Sequence, residues 1–156
     1  MKKDIRLYNV MFPIWFFFLF PSYLWLIILP VNFVVDSLVI WLSAKRQGID
    51  DRIDLWKRSI LSVWFIGFLC DFLGAGLIFG LYLLVAEIPW MPNFALGLWS
   101  TLISLPGVML AGWLIYKLNR KVFFLRCGLE IQQVHKMCLA LAVFTAPYTM
   151  LIPLYW

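Results

Sequence analysis

Charge is what this sequence has least of. Asp, Glu, Lys and Arg together make up 13% of its 156 residues, where a soluble domain carries about 25%. Apolar residues reach 64%, against about 45–50% in a soluble domain. A chain of this size has too little interior to hide that much apolar surface, so its natural solvent is lipid. Histidine is nearly missing: His135 is the single copy, which removes the basis for a histidine-built metal site. The cysteines, Cys70, Cys127 and Cys138, are odd in number and lack the paired spacing of a metal or redox motif. They read as reduced thiols serving as small apolar residues.

Catalytic signatures are also missing. There is no HExxH, no GxSxG and no glycine loop of the kind that cradles phosphate. Asp71 is preceded by Phe68-Leu69-Cys70, which departs from the GxGD pattern of membrane aspartyl proteases. Cys127, Glu130, His135 and Cys138 crowd together without standard zinc spacing. No catalytic residue, cofactor or metal is therefore assigned, and the chain is read as a non-enzyme. The net charge of +5 does not point to nucleic acid, because no basic stretch is long enough to track a phosphate backbone.

What the chain does have is long apolar sequence, broken by short basic clusters. A spanning helix needs about 20 apolar residues. The pattern predicts an all-α, polytopic transmembrane bundle of about five helices, near 8–29, 31–44, 59–86, 94–116 and 137–156, forming a single domain. The first two replace one stretch that would run about 55 Å as a single helix and that contains Pro13, Pro21 and Pro30. They are drawn as a tight hairpin turning at Pro30-Val31-Asn32, with Pro21-Ser22 as the other turn position and a re-entrant first segment as the rival topology. Lys2, Lys3 and Arg6 precede an apolar run with no small-x-small cleavage site, so this segment reads as a retained helix. With the hairpin, all thirteen Lys and Arg fall on one side, in residues 1–7, 45–58 and 117–136. By the positive-inside rule the N-terminus is then cytoplasmic and the C-terminus outside, in the cell membrane. Ile49, Ile53 and Trp56 recur at helical spacing, which suggests a short interfacial helix within 45–58.

Two carboxylates lie inside the apolar runs. Helical rise puts Asp36 about 13 Å from Lys45 and Asp71 about 19 Å from Arg58. Each costs about 2.5–3.5 kcal/mol to insert, and no Lys or Arg lies at that depth. They must be protonated, hydrated, ion-bound or paired with each other. Asp36 and Asp71, with Asn32, form the candidate proton or cation site. The competing reading makes them polar glue between helices, in an accessory or assembly subunit. The segments Asn32–Leu38 and Gly67–Leu73 share F-x-x-D-x-L in opposite membrane directions, as inverted repeats do. Gly67, Gly74, Gly76, Gly80, Ser104 and Gly107 are small residues expected at helix contacts, and Pro106 and Pro147 should kink their helices. The expected function is transport-related. The expected partners are the lipid bilayer and either further copies of this chain, as a homo-oligomer, or a larger membrane complex.

Overall fold

The computed structural model describes residue 23, residues 25–86 and residues 98–152. These form four helices: α1 (Trp25–Arg46), α2 (Arg52–Ala86), α3 (Leu98–Cys127) and α4 (Ile131–Phe144). A 3-10 turn at Tyr148–Leu151 follows, and no strand occurs among the described residues. Four stretches are long and apolar enough to cross a membrane: Trp25–Arg46, Arg52–Val85, Ser100–Cys127 and Ile131–Leu151. Every helix turns large apolar side chains outward, among them Leu26, Phe65, Leu84, Met109 and Phe144. That is the surface a lipid solvent requires.

The turn expected at Pro30-Val31-Asn32 is not there, because α1 runs helically through Pro30. Proline removes one ladder bond and costs about 3 kcal/mol in a helix interior. Here it sits near the start of α1, and a neighbour supplies a donor beside it. The Trp64 indole of α2 donates to the Leu29 carbonyl at 3.1 Å and ties this part of α1 to α2, while the carbonyl that Pro30 deprives of its donor is that of Leu26. Residues 8–22 of the expected first helix, and with them the Pro21-Ser22 turn, lie outside the described residues. Residues 25–29 belong to α1.

The two basic segments are also more helical than expected. Helix α2 starts at Arg52 and α3 runs on to Cys127, so the turns shrink to 47–51 and 128–130. Ile53 and Trp56 thus belong to the first turns of α2, not to a separate interfacial helix. Both turns are stopped by a left-handed glycine, Gly48 at φ 66° and Gly128 at φ 63°. After each, an apolar residue folds back. The Ile49 N–H donates to the Ala44 carbonyl at 3.1 Å and the Leu129 N–H to the Phe123 carbonyl at 3.5 Å. This is the helix-ending pattern that glycine permits, and Ile49 and Leu129 then pack on the core formed by Leu55, Phe123 and Val134. Glu130 and Gln133 close a reciprocal capping box at the start of α4.

Helices α2 and α3 are the antiparallel spine. Tyr82 donates to Ser100 Oγ at 2.7 Å at one end, and Arg126 donates to Ser62 at the other. At 1.5 Å per residue they run about 52 Å and about 45 Å, well beyond a hydrocarbon core of about 30 Å. The surplus forms a basic stem that carries Lys57, Arg58, Arg120, Lys121 and Arg126. Midway, the backbones touch. A Cβ on Gly74 would come within 2.7 Å of the Gly107 carbonyl oxygen, and one on Gly107 would collide with Ile78 and meet the Gly74 carbonyl oxygen at 2.6 Å. Gly76 and Gly80 would meet nothing within 4 Å among the described residues. Ser104 is fully buried and its hydroxyl has no partner. Pro106 lies within α3 and is exposed.

Candidate functional site

Helix α4 stops about half-way along its apolar stretch. Pro147 has no N–H, so the Val143 carbonyl loses its donor. The Tyr148 N–H turns instead to the Ala146 carbonyl at 2.7 Å. The Thr145 N–H and hydroxyl both donate to the Leu141 carbonyl at 2.8 Å. Beyond the break the chain is pinned. The Thr101 hydroxyl donates to the Leu151 carbonyl at 3.1 Å, and Met150 is buried in a cluster with Ala75, Ile78 and Val108. The interruption is therefore held by packing on α2 and α3.

The break opens onto a cavity of about 260 Å³ between α1, α2 and the end of α4. Asn32 and Asp36 enter it from α1, Gly67 and Asp71 from α2, and Thr145 and Thr149 from the interrupted segment. Asp36 and Asp71 are each 4% exposed. Both line the same cavity, and Thr145 lines it with them. One carboxyl oxygen of Asp71 is buried without a partner. Gly67 lies beside Asp36: a Cβ there would be in ordinary contact, 3.6 Å from Asp36 Oδ2.

The two echoed segments meet at this cavity. Phe33 of α1 sets its edge against Trp64 of α2, with ring centroids 6.2 Å apart. Phe68 of α2 does the same with Trp25 of α1 at 5.1 Å.

The lining contains carboxyl, hydroxyl, amide and carbonyl oxygens, and among the described residues no Lys, Arg or His. Such a set is suited to a proton or a hard cation, and a broken helix that frees carbonyls beside buried acids is how membrane proteins build cation sites. The structure brings Asp36, Asp71 and Asn32 together. Of the small residues, Gly67 belongs to this site and Gly74 and Gly107 to the helix contact; Ser104 is fully buried on α3, and Gly76 and Gly80 have open space beside them among the described residues. Thr145, Thr149 and Pro147 stand out in sequence only as a hydroxyl stripe and a kink. The signal for more was Pro147 four residues after Val143, at the same depth as the acids.

A second hollow lies on the same seam, toward the basic turns. It measures about 430 Å³ and is lined by Ser43, Arg46, Gln47, Gln133 and Lys136, among others. Asp36, Ile40, Ser43 and Gln47 share one face of α1, at spacings of four, three and four. Ile40 and Leu141, each 1% exposed, are the apolar layer between this polar mouth and the carboxyl cavity.

Compared with protein-family models, with curated proteins and with solved structures, the chain finds no match. Its function is argued from its own residues.

Proposed function

We propose that this chain is a small membrane transport protein that moves protons or an alkali cation through the Asp36–Asp71 cavity. One observation carries the reading: two buried carboxyls share a cavity with an interrupted helix, and no basic side chain among the described residues lines it. Glue between helices would favour partners that satisfy the acids, whereas Asp71 keeps an oxygen without one. Leaving a buried acceptor unsatisfied costs about 1–3 kcal/mol, and a group retained at that cost is a functional candidate. In this reading the basic turns face the cytoplasm, the polar mouth at Ser43 and Gln47 is the inner approach, and Ile40 with Leu141 is the gate. The cell membrane is the proposed location.

The test is ion flux into liposomes holding the purified protein, followed with a pH dye and with a sodium dye. The parent should dissipate one imposed gradient, and the Asp36→Asn/Asp71→Asn variant should not. Equal flux in the two would remove the site from the mechanism.

A second reading, an assembly subunit, draws on Gly76 and Gly80. They form a GxxxG step on a side of α2 that no other described helix covers. It predicts that Gly76→Leu lowers the mass of the purified particle, and that the aspartate variants change yield but not flux.

A further inference from the structure

A groove of about 600 Å³ runs where α3 and α4 join the basic stem, apart from the carboxyl cavity. Lys117, Arg120, Lys121 and Leu125 line it from α3, and Ile131 and Val134 from α4. The α3 residues follow the spacing i, i+3, i+4, i+8, so they form one helical face. The three cations are exposed, and among the described residues none of them forms an ion pair. Two are oriented by rings: Lys117 lies 5.4 Å from the Trp113 ring centre and Arg120 5.7 Å from that of Tyr116.

In the midst of this charge, Leu125 and Ile131 stand 75% and 69% exposed. Water and a free anion would leave those side chains uncovered. The groove also lies where α3 passes from uncharged to basic sequence, the level of the lipid phosphates. A phospholipid of net negative charge answers both features, whereas a zwitterionic one brings its own cation to a positive wall. Basic pockets between membrane helices on the positive side hold such head groups.

We propose that this groove binds one anionic phospholipid. Its phosphate sits against Lys117, Arg120 and Lys121, and its glycerol and first methylenes against Leu125, Ile131 and Val134. The site is independent of transport through the carboxyl cavity, so either assignment can fail without the other.

The full chain, purified in mild detergent, is titrated with phosphatidylglycerol, phosphatidylcholine or glycerol phosphate and weighed by native mass spectrometry. A single phosphatidylglycerol adduct should form at concentrations where phosphatidylcholine does not bind, and glycerol phosphate in excess should not displace it. Lys117→Gln/Arg120→Gln/Lys121→Gln should weaken that adduct by roughly a hundredfold, from about fivefold per basic residue. Lys45→Gln/Lys57→Gln, on the far side of the stem, should keep it. Leu125→Ser/Ile131→Ser should weaken it with all three charges in place. If the triple variant does not fold, Lys121→Glu alone replaces it, since Lys121 carries no ring contact. Equal binding of the two lipids, or an unchanged triple variant, overturns the proposal. Displacement by glycerol phosphate would make this a free-phosphate site, and a stoichiometric protein in place of the lipid would make it a peptide groove; both overturn it.

Discussion

Replacing Gly107 by alanine sets two effects of opposite sign against each other. Alanine in place of glycine favours a helix by about 1 kcal/mol. The added Cβ would meet the Gly74 carbonyl oxygen at 2.6 Å, where ordinary contact begins near 3.4 Å, and would also strike the Ile78 side chain. A flexible side chain can turn away, but the Gly74 oxygen belongs to the α2 backbone. Relief therefore requires α2 and α3 to separate along the seam that holds Ala75, Ile78 and Val108. Overpacking of this kind costs about 1–3 kcal/mol, and the loosened seam adds to it, so the steric effect wins. The net loss should be about 1–2 kcal/mol. Gly76→Ala is the control, because its Cβ would meet nothing within 4 Å; it should be neutral or gain up to about 1 kcal/mol. Tryptophan fluorescence during reversible unfolding in mixed detergent micelles measures both. A Gly107→Ala protein as stable as the parent, or a Gly76→Ala protein equally damaged, would refute the packing argument.

Further outcomes are expected. Asp36→Asn and Asp71→Asn should each lower liposome flux at least tenfold while the protein purifies in normal yield, and low yield with retained flux per molecule would support the glue reading instead. Ile40→Ala with Leu141→Ala should join the polar mouth to the carboxyl cavity and raise the leak several-fold; unchanged flux would remove the gate. Pro147→Ala restores an N–H opposite the Val143 carbonyl and should slow flux while adding helical circular dichroism. Equal flux would show that the interruption plays no part in transport. Gly48→Ala places a side chain at φ 66° and should cost about 1–2 kcal/mol, read as a lower unfolding midpoint in the same detergent assay.

The small residues show how far sequence pattern reaches. Gly74 and Gly76 are two positions apart, which is about 200° around a helix. One therefore faces α3 and the other faces away from it, yet composition scores them alike. Only the partner's position tells them apart. Pro30 by itself reads as a turn, yet α1 runs helically through it. The helix ends at Gly48 and Gly128 were readable in principle, since each glycine is followed by an apolar residue and then an acid, but basic composition favoured reading both segments as loops.

The chain alone determined its apolar character, its helical class and the presence of two acids within apolar helices. A bilayer allows this because it turns fold into a one-dimensional problem: backbone bonds must close within each apolar segment, and charge must leave the core. The tertiary structure alone decided that Asp36 and Asp71 enter one cavity, that Thr145 and the break at Pro147 complete it, and that Gly74 and Gly107 carry the helix contact. Hydropathy reports a residue's depth but not its direction around the helix, and a site needs both.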